Sequence, residues 1–323
     1  MQRRDFIQAG LMSGLITSTW AQSSAWPNKP VKWILSQPAG SGPDIIARFL
    51  GDLLAKTWGQ PVVVDNRPGG QNVIGAQAAA RAGADGYSFY FGTTAAMITN
   101  LYTFKALPYD PVKDFVGVRL VARSPFVVAT AAQAPIRDFR DALAQAKAQP
   151  GKIAMATEGP KTFSGMLASY LSNLGGAPFN LVPYNKAPDA LQDLLGGRIA
   201  LVCLPNAALS SYLKSGQVRA LAVSTSERLA ELPQAASMSE VFPGFEYTGW
   251  NGIFAPAGTP ADIVGKFNRD LETLLQQPEV VQKMMSLGSM AVQGMSVADF
   301  EAYLRKERER WESVVKVLGI AAE

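Results

Sequence analysis

Short apolar runs of strand length alternate along the chain with longer stretches in which apolar residues return at helical spacing. Val31 to Leu35 is the first such run; Ile45, Ile46, Phe49, Leu50, Leu53 and Leu54 then share one face of a helix, and Val62 to Val64 follows. That order is strand, helix, strand. It recurs through Tyr87 to Phe91, Phe126 to Ala129, Ile153 to Met155, Leu181 to Pro183, Ile199 to Cys203, Val218 to Val223 and Ile253 to Ala255. The pattern predicts an α/β fold with largely parallel sheets. Ten or so strands over about 300 residues imply two sheets rather than one.

The helix ends are marked too. Thr259-Pro260 predicts an N-cap with proline at the first helical position, opening a helix that carries Ile263, Phe267, Leu271 and Leu274. Ser296 with Asp299 resembles a capping box, after which Phe300, Tyr303, Leu304, Glu307, Trp311, Val314 and Leu318 continue at near-heptad spacing as a long C-terminal helix. Its charged cluster, Arg305 to Arg310, is expected to be a solvated face.

The first 25 residues read differently. Arg3 and Arg4 precede an apolar stretch from Ala9 to Trp20, and no charge falls between Asp5 and Lys29. This is the pattern of an export signal over residues 1–25, by either the twin-arginine or the ordinary secretory route, with cleavage after Ala21 or Ala25. Its apolar core is shorter than the roughly 20 residues a spanning helix needs, and no later segment supplies them.

Composition narrows the chemistry. The 323 residues are 48% hydrophobic and 17% charged, with a formal net charge of +4, one Cys and no His. The basic residues are scattered, which disfavours nucleic acid as a partner. Disulfide scaffolds, Cys/His zinc sites and Ser/His/Asp or Cys/His catalysis are excluded. Cys203, inside an apolar run, is expected to be a buried structural thiol.

Three polar loops remain as candidates. Val31 to Leu35 runs into Ser36-Gln37-Pro38-Ala39-Gly40-Ser41-Gly42-Pro43-Asp44 and straight into a helix, which gathers glycines and backbone N–H groups at a helix N-terminus, a natural anion site. The spacing lacks the third glycine of a dinucleotide turn and the Lys of a P-loop. A second loop, Gly92-Thr93-Thr94, places hydroxyls at a strand's carboxyl end, where ligands of open α/β sheets bind. A third, Thr157 through Thr162 and Phe163 to Ser164, repeats glycine and hydroxyls before a helix. Each alone is more often a plain turn than a site; three together outline a cleft. No base stands beside a nucleophile and no acidic cluster has metal spacing, so a binding protein without metal or cofactor is favoured over an enzyme. The rival is an exported lyase or isomerase using Asp44 or Glu158 as base.

A run of motifs then resembles one family, the periplasmic solute-binding receptors of tripartite tricarboxylate transporters (the Bug family): Trp26-Pro27-Asn28-Lys29-Pro30, the Gly40 to Asp44 turn, Gly59 to Gly69, Ala84-Asp85-Gly86-Tyr87, Leu107 to Pro111, Val182-Pro183-Tyr184, Leu194 to Gly197 and Phe254 to Pro260. The resemblance covers nearly all of the chain after residue 25. It implies a two-lobed periplasmic binding protein of the type II flytrap kind, the chain crossing between lobes twice: residues 26–125 with 248–323 as domain one, and 126–247 as domain two. It also implies a periplasmic monomer that closes on a small carboxylate and hands it to inner-membrane transporter subunits, or in another version signals to a membrane sensor kinase. One carboxylate would be held by Gly40, Ser41, Gly42, Asp44, Thr93 and Thr94, with Thr157, Thr162, Phe163, Ser164 and Asn206 facing it from domain two. Three positions depart from the family. Pro43 stands where a Thr is usual, Gly165 where a His often follows the serines, and Leu204-Pro205-Asn206 where an Asp often meets a ligand amine or hydroxyl. With Phe163 and Leu204 expected near the cleft, these departures disfavour an amino acid and favour an aromatic dicarboxylate such as terephthalate over an aliphatic di- or tricarboxylate.

Overall fold

The computed structural model describes residues 26–245, 247–320 and 322; the export signal expected over residues 1–25 lies outside the described residues. The strands are β1 (Val31–Leu35), β2 (Val62–Asn66), β3 (Ser88–Thr93), β4 (Phe115–Ser124), β5 (Phe126–Ala131), β6 (Ala154–Thr157), β7 (Asn180–Pro183), β8 (Leu201–Pro205), β9 (Val218–Val223), β10 (Ala236–Ser237), β11 (Gly249–Pro256) and β12 (Met290–Ala291). Among the described residues they form two six-stranded sheets, ordered β12-β4-β11-β3-β1-β2 and β10-β9-β5-β8-β6-β7. Each sheet belongs to one lobe of a two-lobed α/β protein.

The sheets are mixed, not largely parallel. In the first, β2, β1 and β3 pair in parallel while β11 runs antiparallel to both β3 and β4. In the second, β5 is antiparallel to β8 and β9. The reason is geometric. The carboxyl ends of β1, β3, β6 and β8 all point at the gap between the lobes. A strand that enters a lobe from that gap must run the other way, and β5 and β11 are the two that do. Only Pro125 separates β4 from β5, and Ser124 is the register partner of Gly249, so the two crossings lie side by side.

Local signals explain most element ends. Ser41 caps the helix Gly42–Trp58 by accepting from the Asp44 N–H, and Gly59, at φ 64°, ends it. Ile46, Ala47, Leu50 and Leu54 of that helix are buried against β1, whose Trp33 stacks between Phe91 and Phe267 with ring centroids 5.9 Å apart on each side. The Ser296–Asp299 capping box forms as expected and opens Val297–Leu318. The Thr259-Pro260 start is displaced: the helix is Ala261–Leu275 with Pro260 as its cap, and the Thr259 hydroxyl instead donates to the Pro256 carbonyl at 2.7 Å.

The ten-residue β4 escaped the pattern because Gly117 and Arg119 interrupt its apolar positions. Both have reasons far along the chain. A Cβ on Gly117 would sit 3.0 Å from the Phe300 ring, and the fully buried Arg119 pairs with Glu272 and donates to the Met295 and Val292 carbonyls. The cluster Arg305 to Arg310 is not wholly a solvated face. Glu307 is 3% exposed, accepts from Trp250 Nε1 at 3.0 Å and pairs with Arg310.

Candidate functional site

Loops from both lobes enclose a cleft of roughly 570 Å3. The first glycine-rich turn supplies one wall, with Gly40, Ser41 and Gly42 on its surface. Asp44 is not on it. Its carboxylate accepts from the Gly40 N–H at 2.9 Å, from Asn66 Nδ2 at 2.9 Å and from Arg48, so it braces the turn from behind. Burial pushes its acidity the other way, but those hydrogen bonds and the Arg48 charge hold it below the usual carboxylate range. The Gly40 N–H is therefore used by the protein itself. Pro43 has no N–H, the Ser41 N–H donates to the Pro38 carbonyl and the Asp44 N–H to Ser41 Oγ, so among the described residues the Gly42 N–H is the donor this turn leaves to an anion, beside the Ser41 hydroxyl.

Thr93 and Thr94, at the carboxyl end of β3, both line the cleft. Thr94 Oγ1 accepts the backbone N–H of Trp250 at 2.9 Å, which ties β3 to the crossing strand β11. Beside them the Gln37 amide donates to Asn72 Oδ1 at 2.7 Å, leaving Gln37 Oε1 buried without a partner among the described residues. Gln71 and Asn72, also on the wall, hold left-handed backbone at φ 54° and 79°, a costly conformation for non-glycine residues that clusters at ligand sites.

From the second lobe, Thr162 and Phe163 face the cleft. The Phe163 ring packs on Phe126 at 4.7 Å between centroids. Thr157, Ser164 and Asn206 turn away from it. Thr157 Oγ1 accepts from the Gly159 N–H, and Ser164 Oγ accepts from the Glu158 N–H at 3.0 Å while donating to the Cys203 carbonyl at 2.6 Å. Asn206 donates its backbone N–H to Pro125 O across the crossing at 2.8 Å and its amide to Glu231. The expected approach of Leu204 is also corrected: it is fully buried in the core of its own lobe, and the next residue, Pro205, reaches the wall.

The wall residues that sequence reasoning passed over are Lys186, Asn251, Gln71 and Asn72; Glu158 was considered only as an enzyme's base, and Gln37 only as part of the first loop. Among the described residues, Glu158 and Lys186 are the only ionisable groups lining the cleft. Neither has a hydrogen-bonded or ion-paired side chain among those residues. Burial pushes the half-buried Glu158 carboxyl up to about 7. Behind it the buried Cys203 thiol is pushed up, by burial first and by the Glu158 charge second. The loops Ser36 to Gly42 and Gly92 to Thr94 were signalled by glycine and hydroxyls after a strand; Lys186 gave no signal beyond lying just before a helix.

The lobes also touch at their rims. The Lys161 N–H donates to Gln71 Oε1 at 2.6 Å, and Ser210 and Lys214 both donate to the Ser286 carbonyl. Gly42 lies against Pro205 and Ala207, where a Cβ would stand 3.1 Å from that of Ala207. A ligand between the lobes would be enclosed by both.

Known proteins match this arrangement along nearly the whole chain. The family profile described as "Tripartite tricarboxylate transporter family receptor" matches residues 46–320. The protein BugT of Bordetella pertussis is 32% identical over 300 residues, 92% of this chain and 91% of that protein. Among solved structures, R. palustris Rpa4515 with adipate superposes with a TM-score of 0.88 at 29% identity, covering 92% of this chain and all of that one. MatC of Rhodopseudomonas palustris with bound malate gives 0.83 at 28% identity, covering 90% of this chain and all of that one. A two-lobed α/β fold, a cleft between the carboxyl ends of its strands and this extent of similarity together place the chain in the receptor family of the tripartite tricarboxylate transporters.

Proposed function

We propose that the protein is a periplasmic solute receptor that closes on a small organic dicarboxylate with an apolar middle, an aromatic one such as terephthalate before an aliphatic one, and delivers it to inner-membrane transporter subunits. The observation that carries the reading is the wall chemistry of the cleft. Its lining combines the Gly42 N–H and the hydroxyls of Ser41 and Thr93 with the rings of Phe126, Phe163 and Trp250 and with the Lys186 ammonium. Oriented N–H groups and hydroxyls replace the hydration of one carboxylate, aromatic rings cover the body, and a cation meets the second. The volume falls in the range usual for small-molecule sites, about 300–1,000 Å3.

The closing units are residues 26–125 with 248–323 against 126–247, turning about the paired crossings. Binding is offset against the ordering of both lobes, and ligand contacts from each favour the closed state. A second reading, an aliphatic dicarboxylate, is favoured by the similarity to the structure solved with adipate. The test is a thermal-shift series on residues 26–323 with terephthalate, adipate, malate, citrate and amino acids. A bound ligand at about 100 times its dissociation constant stabilises by about 2.7 kcal/mol, a shift of several degrees. Stabilisation by amino acids alone would overturn the dicarboxylate reading, and none by any carboxylate would overturn the receptor reading itself.

A further inference from the structure

A carboxyl group in an anion receptor needs an explanation. Glu158 sits on the cleft wall in the loop between β6 and the helix Phe163–Gly175, one residue from a glycine at φ 126°. Its backbone is pinned: the N–H is held by Ser164 Oγ, which is itself tied to the Cys203 carbonyl of β8. Its carboxyl accepts nothing and meets no cation among the described residues. An ion pair would have kept it charged; a role in bracing the loop would have given it partners, as Asp44 has. It has neither, and it faces the space a ligand would fill.

We propose that Glu158 recognises one carboxylate of the ligand in its protonated form, donating a hydrogen bond to it, so that wherever Glu158 is ionised in the free receptor each dicarboxylate bound brings in a proton from solvent. The inference rests on the dicarboxylate reading above and adds to it a specificity residue and a proton.

The charges around Glu158 favour this state. The Cys203 thiol from β8 feels the Glu158 charge and is neutral at physiological pH, while Lys186, from the loop before the helix Ala187–Leu195, lines the same cleft without pairing with it. Lys161, three residues on, has its ammonium over the Phe104 ring at 4.3 Å. A ligand carboxylate entering this space adds a negative charge, while Lys186 is the only cation lining the cleft among the described residues. Two carboxyl groups competing for one ammonium in a partly dehydrated site do not both ionise; they share a proton, and the bond between them is charge-assisted. Burial has already brought Glu158 close to neutrality before the ligand arrives. An ammonium or hydroxyl ligand would leave the opposite signature, binding better as Glu158 loses its proton.

The test is calorimetric titration of the native protein with terephthalate, and separately with adipate, at about pH 6 and about pH 8.5, in two buffers of different ionisation enthalpy. Terephthalate is fully ionised over this range; adipate still carries some monoanion at the lower pH, so its affinities are corrected for the fraction of dianion. The expected result is affinity that is level below about pH 7, falls by up to about tenfold per unit above it, and brings close to one proton per ligand at the higher pH. Glu158→Gln mimics the protonated acid, so it should keep the pH 6 affinity within a few-fold and lose both the pH slope and the proton uptake. Affinity that is level or rising with pH, or a variant that keeps the slope, would overturn the role of Glu158 while leaving the receptor reading intact. Failure of both probes to bind at either pH would overturn the dicarboxylate reading, and this inference with it. The proton count on the native protein decides the matter even if the variant does not fold.

Discussion

Gly165 and Gly265 both lie inside helices, and the same substitution at each should act in opposite directions. Helix propensity alone favours Ala over Gly by about 1 kcal/mol. At Gly265 a Cβ would meet only the flexible end of Arg269, at 3.3 Å, so Gly265→Ala should stabilise by about 0.5–1 kcal/mol. At Gly165 a Cβ would lie 2.1 Å from the Gly159 carbonyl oxygen and 2.9 Å from Pro160 Cα, both backbone. That carbonyl also accepts from the Thr162 N–H at 3.2 Å and the Thr162 hydroxyl at 2.7 Å, so the loop cannot retreat without loosening two hydrogen bonds. Overpacking costs about 1–3 kcal/mol and each weakened bond up to about 1, against a propensity gain of about 1. The net is a loss of about 2 kcal/mol, or a Tm lowered by about 4–8 °C, with Gly265→Ala raising it by about 2 °C. Thermal unfolding by circular dichroism measures both. A Tm raised in both variants would refute the packing argument. Because the displaced loop carries Glu158 and Thr162, ligand affinity should fall in Gly165→Ala and hold in Gly265→Ala.

Glu158→Gln also bears on the ligand-free protein. An acid raised from 4.5 to about 7 by folding leaves the folded state with more protons than the unfolded between those values, so stability falls as pH rises through that window and stays lower above it. The variant should therefore be more stable than the native chain at about pH 8, by up to about 3 kcal/mol before discounting for partial exposure, and no more stable at about pH 4; denaturant midpoints that differ equally at both would contradict the assignment. Thr94→Val leaves the buried Trp250 N–H without its acceptor and should cost about 1–3 kcal/mol, read as a lowered denaturant midpoint. An unchanged midpoint would mean that the β3–β11 tie is not stabilising. Lys186→Met should weaken a dicarboxylate by about tenfold and leave a monocarboxylate unaffected, since the ammonium serves the second charge only; equal losses for both would remove it from that role.

Most of the fold was legible because its strands are short apolar runs between amphipathic helices, and that code is local. What it hid was set by distant partners. The charge of Arg119 breaks the apolar run of β4 and makes sense only with Glu272, and Gly117 only with the Phe300 ring. Strand direction was misjudged at β5 and β11 because alternation carries no information about which end of a lobe the chain enters. In the site, glycine and hydroxyls after a strand marked the right loops but not the sides their groups face. Thr157 and Ser164 are as polar as Thr162, yet bond inward to the backbone. Lys186 has the sequence character of any surface lysine, and the left-handed turn at Gln71 and Asn72 follows two glycines without itself containing one.

The position of β11 has a consequence for how the molecule is made. It is synthesised after the whole of the second sheet, yet it pairs with β3 on one side and β4 on the other, in the middle of the first. Until it arrives, β3 and β4 each present an open edge, and the Arg119 side chain waits longer still, for Glu272 and the Val292 and Met295 carbonyls. The segment between the crossings contains all six strands of its own sheet and needs no strand from downstream to complete it. The lobe that begins the chain is thus the one completed last, waiting on a strand more than 120 residues downstream of β4, and a chain cut short before that strand would hold one finished lobe and two unpaired sheet edges ready to join other chains.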